Sequence, residues 1–186
     1  MNAPESTNNT SSNDKRFTVY RNGQKQELKY AQLFSAAHRK WHRRKFEIAK
    51  AIFEQLATVK DRGPRADIVL AHCHAMLGDF GQCSSILHRA LPQELYGNAA
   101  SRLHDTFVFW NVGLFVDVKN AMKALAAEYK ELPSLSLILA QLLHATGARR
   151  LSARYLRRAM EHDRKNGAIA LSAGSQLQRL ENETSP

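Results

Sequence analysis

The 186-residue chain has only two cysteines, Cys73 and Cys83, and nothing near its N-terminus that reads as an export signal. Met1 to Asn13 carries neither a positive stretch nor an apolar one. The two thiols are therefore expected to stay reduced and buried as small apolar groups, not bridged. Long hydrophobic runs are missing too. The most apolar stretch, Leu132 to Leu143, is broken by Pro133, Ser134, Ser136 and Gln141 and is too short to span a bilayer. A soluble, cytoplasmic protein with no membrane insertion is expected. Acidic residues are scarce, 17 Asp and Glu against 27 Lys and Arg, for a formal charge of +10. Such a surface steers acidic or phosphate-bearing partners toward it but says nothing of fold.

Catalytic patterns are absent as well. There is no Gly-x-Ser-x-Gly elbow, no phosphate-cradling glycine loop, and no carboxylate pair in an apolar setting. Glu54 and Glu128, for instance, fall on polar helix faces. The chain therefore reads as a non-enzyme without a cofactor. His72, Cys73, His74 and Cys83, with His88 nearby, offer metal-binding residue types. Consecutive residues on a helix diverge by roughly 100°, however, so they do not converge on one ion, and no metal site is expected.

What the sequence does have is a period. Phe46, Ala49, Phe53 and Leu56 recur thirty-four residues later as Phe80, Cys83, Leu87 and Ala90. One added residue shifts the next copy to Phe115, Val118, Met122 and Leu125, and the fourth follows thirty-four further on as Ser152, Leu156 and Ala159. Upstream, Ala37, Ala71, Thr106 and Ala140 keep the same phase. Within each copy the spacing puts apolar side chains on one face of a helix. Gly63-Pro64, Gly78, Pro92, Gly113, Pro133, Gly147 and Asn166-Gly167 punctuate the copies, with glycine where a tight turn needs positive φ and proline where a helix opens. Helices are predicted near 27–42, 44–60, 64–77, 81–91, 98–112, 115–130, 133–146 and 149–164, with a ninth at 168–181.

The best copy runs from Ala71 through Gly78, Asp79, Phe80, Cys83, Leu87 and Ala90 to Pro92. It resembles the tetratricopeptide repeat, with its small residue in the first helix, its Gly-Asp-aromatic turn and the small–large–Ala series of the second. The third copy departs most, with Thr106 and Val118 at the two small positions. The resemblance implies an all-α fold, a right-handed α-solenoid of about four helical hairpins over 31–164, closed by a capping helix over 165–181. Residues 1–16 and 182–186 are expected to be disordered tails. Over 17–30, a β-rich tetrapeptide before Asn22-Gly23 fits either a β-hairpin or an irregular arm.

The family binds partners in the concave groove lined by the first helix of each unit. Carried over by register, that groove holds His38, Trp41, His42, Arg65, His72, Met76, Phe107, Trp110, Asn111, Gln141 and His144. Trp41 and Trp110 read equally well as packing between helices. The lysine and asparagine with which some members clamp a terminal carboxylate are replaced by Phe34, Ile68, His38 and His72, so that ligand is not expected. The strongest local anomaly is Arg39, Lys40, Arg43, Arg44 and Lys45 around Trp41. It reads either as a phosphate-gripping or acidic-peptide patch or as a solvated turn. A second group, Arg149, Arg150, Arg154, Arg157 and Arg158, suits the wet face of an amphipathic helix. Together these features predict a scaffold that docks a protein or peptide partner, acidic in character, with nucleic-acid binding as the alternative.

Overall fold

In the computed structural model, residues 15–21, 24–59, 64–163 and 167–182 are described. Of the tails expected at 1–16 and 182–186, residues 1–14 and 183–186 lie outside the described residues, as does the Asn22-Gly23 turn. The architecture is all-α apart from one two-stranded sheet. The chain divides into two compact units, Met1–Arg62 and Gly63–Pro186.

In the first unit, strands β1 (Arg16–Arg21) and β2 (Gln24–Lys29) pair antiparallel, with Phe17 opposite Leu28 and Arg16 opposite Lys29. Helix α1 (Tyr30–His42) follows directly. The helix predicted from residue 27 thus starts three residues later, because 24–29 are held in the ladder. The Gln32 side chain accepts the Lys29 backbone N–H at 2.9 Å, which opens the helix. Lys15 Nζ donates to Thr58 Oγ1 at 3.0 Å, tying β1 to the segment after α2 (Phe46–Leu56). Leu33, Ala37, Trp41, Ala49, Phe53 and Leu56 are buried, on the face that the helical spacing selects.

The second unit holds three hairpins: α3 (Pro64–Met76) with α4 (Phe80–Ala90), α6 (Ala99–Asn111) with α7 (Phe115–Glu128), and α8 (Pro133–Ala145) with α9 (Arg149–His162). Pro64 and Pro133 open α3 and α8, where a missing N–H costs nothing. A short helix α5 (Gln93–Tyr96), not anticipated, lies in the connection that absorbs the extra residue of the third copy. Helix α10 (Ala168–Asn182) packs on α9 and α8, and its backbone start is fixed by Asp163 Oδ2, which accepts the Ala170 N–H at 2.8 Å.

The repeat is visible in the turns. In four places a backbone N–H bonds the carbonyl five residues back: Lys45 to Lys40, Asp79 to His74, Leu114 to Phe109 and Ala148 to Leu143, at 2.9–3.0 Å. This closes each first helix in a Schellman turn around a residue of positive φ. That residue is Gly78 (82°), Gly113 (83°) or Gly147 (79°) in the second unit and Arg44 (55°) in the first. The small positions obey the same period. Ala37, Ala71, Thr106 and Ala140 are all buried, as are Ala49, Cys83, Val118 and Ser152, which lets paired helices approach closely. At the fourth such pair Ser152 Oγ donates to the Ala140 carbonyl at 2.7 Å.

One packing relation was not anticipated. Helix α3 packs against α8, although the α6–α7 hairpin stands between them in sequence. Ala66 to Ala75 and Leu135 to Leu143 are each buried without a break, so both helices are covered on every side.

Candidate functional site

In the first unit the predicted residues fall along α1. The rings of Tyr30, Phe34, His38 and His42, four residues apart, form a ladder with successive centroids at 6.2, 5.9 and 4.5 Å. Trp41 is tilted against both His38 and His42 and is buried, His38 is half-buried, and His42 is exposed. Of its two readings, packing is where the structure puts Trp41. The basic residues Arg39, Arg43, Arg44 and Lys45 are exposed and Lys40 half-buried, around the α1–α2 turn. Among the described residues none of the five makes an ion pair. Met1–Arg62 carries 13 Lys and Arg against 6 Asp and Glu, so +7 of the formal +10 sits in one third of the chain.

In the second unit the expected groove residues come together, but as core. The ring of His72 (1% exposed) stands T-shaped to those of Phe107 and Trp110, with centroids 4.9 and 4.4 Å apart. Burial pushes its pKa down to about 3, so the imidazole stays neutral at any ordinary pH. Arg65 Nε donates to Gln141 Oε1 at 3.3 Å and Arg65 Nη1 to Ser172 Oγ at 3.2 Å. Gln141 Nε2 donates to Gln176 Oε1 at 2.9 Å, and Gln176 Nε2 to Ser172 Oγ at 3.3 Å. The four side chains close a ring that joins α3, α8 and α10. Met76 and His144 are half-buried, and exposed Asn111 donates Nδ2 to the Ala75 carbonyl at 3.0 Å, drawing the ends of α3 and α6 together.

The open, aromatic groove predicted from register is therefore corrected for His72, Phe107, Trp110 and Gln141. Helix α3 packs on α8 and α6, which removes these side chains from water, and α10 supplies the polar partners of Arg65 and Gln141.

Cys73 and Cys83 are both free and buried. Burial, with the nearby Asp79 charge adding to it, pushes the Cys83 thiol up to about 12. Asp79 itself accepts the Gln82 N–H at 3.1 Å, capping α4, and its other carboxylate oxygen meets His74 Nδ1 at 3.1 Å. Among the described residues no three His, Cys, Asp or Glu side chains gather as a metal site would require, and no helix is long and apolar enough to cross a membrane.

Sequence reasoning missed an exposed apolar cluster at the α6–α7 turn. Phe109, Val112, Leu114, Phe115 and Val116 all show substantial surface to water, Val112 at 61% and Val116 at 70%. Five large apolar side chains exposed within eight residues exceed the scattered single ones that surfaces ordinarily carry. The signal was readable: Val-Gly-Leu-Phe-Val, 112 to 116, is apolar on both sides of a turn glycine, where polar residues are the rule. Leu77, at the matching place in the α3–α4 turn, is exposed too.

Comparison with protein-family models, with curated proteins and with solved structures returned no match to this chain.

Proposed function

We propose that this protein is a non-enzymatic scaffold of the tetratricopeptide kind, built of repeated helical hairpins with α10 capping those of the second unit, which docks a segment of a partner protein. The Schellman turns recurring at 44, 78, 113 and 147, and the small buried residues recurring with them, support the repeat reading. The observation that carries the docking reading is the exposed apolar cluster at the α6–α7 turn. A contiguous exposed apolar patch of this kind marks an interaction surface, its two Phe side chains are of a type enriched in interface cores, and they need no rearrangement to become available. The partner contacts on this reading move from the buried groove residues to Val112, Leu114, Phe115 and Val116. Free, buried Cys73 and Cys83 support a reducing compartment, the cytoplasm. The reading assigns no catalytic residue and no cofactor.

The test is comparative affinity capture. The full chain and a Val112→Asp/Val116→Asp variant are used as baits, with circular dichroism confirming that both are folded. A protein retained by the first and lost by the second supports the reading. Identical capture by both baits removes the α6–α7 turn as the docking surface.

A further inference from the structure

Arg44 occupies a backbone conformation that suits glycine. Its φ of 55° lies in the left-handed region, and at the corresponding place the three hairpins of the second unit all carry glycine. An L-residue with a long side chain is strained there, whereas glycine is not. A fold that repeats this turn has glycine within its repertoire, so arginine at 44 calls for a reason other than stability. Strain retained at one copy of a repeated feature points to a use for that side chain.

The surroundings indicate the use. Arg39, Lys40, Arg43, Arg44 and Lys45 lie within seven residues, and among the described residues no carboxylate neutralises any of them. Like charges so close raise the local positive potential, which draws an external anion to the turn. The positive charge is not confined to this turn. Lys29 adjoins the other end of α1, a helix of thirteen residues and so about 20 Å long, with Lys15 and Lys25 elsewhere on the same hairpin, while Arg16 there is paired with Glu27 at 3.4 Å. Cations at both ends of such a helix suit a polymer with a charge on every unit better than a single carboxylate. Exposed His42, between Arg39 and Arg43 and packed against Trp41 and His38, places an aromatic ring beside these cations.

We infer that the α1–α2 turn is a binding site for the phosphate backbone of a nucleic acid, with Arg44 held in its strained conformation to complete the cationic display. This site is separate from the apolar α6–α7 turn, and it stands or falls independently of the scaffold reading.

The experiment measures fluorescence anisotropy of a labelled 20-nucleotide oligouridine with the full chain at 50 and 200 mM salt, with a 20-base-pair duplex DNA in parallel. Five phosphate contacts to a single strand predict that affinity falls on the order of a hundredfold between the two salt concentrations. Tighter binding to either nucleic acid supports the site and identifies its source. Arg39→Glu/Arg43→Glu/Arg44→Glu should abolish binding. Arg44→Gly provides the check that a failure to fold cannot blur: it should raise the thermal unfolding midpoint while weakening binding several-fold and lowering the salt slope by about 0.7. Salt-insensitive binding, an unchanged affinity for Arg44→Gly, or equal competition by polyglutamate, which would mark an acidic-protein site, each overturns the proposal.

Discussion

Arg44 holds the same left-handed turn position in the α1–α2 hairpin that Gly78 holds in the α3–α4 hairpin, at φ 55° against 82°. Each is followed by the residue whose N–H reaches back five positions, Lys45 to Lys40 and Asp79 to His74. Replacing arginine by glycine at that place keeps the turn and removes the Cβ clash. Left-handed strain is about 1–2 kcal/mol for an L-residue, and the entropy lost by glycine on folding returns part of it. Arg44→Gly should therefore stabilise by about 1 kcal/mol in denaturant titration. A loss of stability would show that the arginine side chain makes up for its own strain.

The helix starts after these turns are unequally capped. Asp79 accepts the Gln82 N–H, whereas Ala148, the corresponding residue before α9, has no side chain to do so. Its backbone, φ −79° and ψ 57°, is close to that of Asp79 at −90° and 72°. Ala148→Asp should gain about 1 kcal/mol from the cap, helped by the exposed arginines at 149 and 150. The gain should shrink when the unfolding midpoint is measured below pH 4, as the new carboxylate protonates.

His72 makes stability depend on acid. The unfolded chain takes up a proton there below pH 6.5, and the folded chain does not until about 3. Between those values the unfolded state binds more protons, so this residue removes stability as pH falls, at about 1.4 kcal/mol per unit at most, and contributes nothing above 6.5. Unfolding midpoints at pH 4.5 and 7.5 should differ less in His72→Phe than in the parent chain. Equal differences would place the acid sensitivity elsewhere.

Core and surface assignments separate cleanly in one pair of variants. Phe107→Ala leaves a cavity among fully buried neighbours and should cost about 3–5 kcal/mol. Val116→Ala, on a side chain 70% exposed, should change stability by less than about 0.5 kcal/mol. Comparable losses would mean that the α6–α7 turn is covered in solution.

Most of the helical framework was legible because its signals are local. Pro64, Pro133, Gly78, Gly113 and Gly147 mark helix ends by their own backbone preferences, and the apolar period marks the buried face. Helix α1 begins at Tyr30 and not near 27 because, of the two readings open over 17–30, the hairpin holds Gln24 to Lys29. The strand state of that segment comes from pairing with Arg16–Arg21, which is a tertiary fact. The groove failed for a different reason. Register says which residues share a face, not whether that face meets water. Ile68-Val69-Leu70-Ala71 and Leu137-Ile138-Leu139-Ala140 are each apolar through a full helical turn, and a helix of that kind has no wet side to line a groove. That signal was present and outranks the family expectation. Ser172 and Gln176, which complete the ring with Arg65 and Gln141, had none, since nothing local tells a polar residue on a terminal helix that it will face a partner a hundred residues away.

That ring bears on how the second unit comes apart. In an array where each hairpin touches only its neighbours, stability is a sum of local terms and the ends fray before the middle. Here Arg65 in the first helix of the unit is bonded to Gln141 and Ser172, and α3 lies on α8 across an intervening hairpin. Opening α10 breaks contacts of α3, so the two extremes lose protection together. The amides of α3, α8 and α10 should exchange with solvent through one shared opening, and the hairpins of this unit are not interchangeable links that can be deleted or duplicated one at a time.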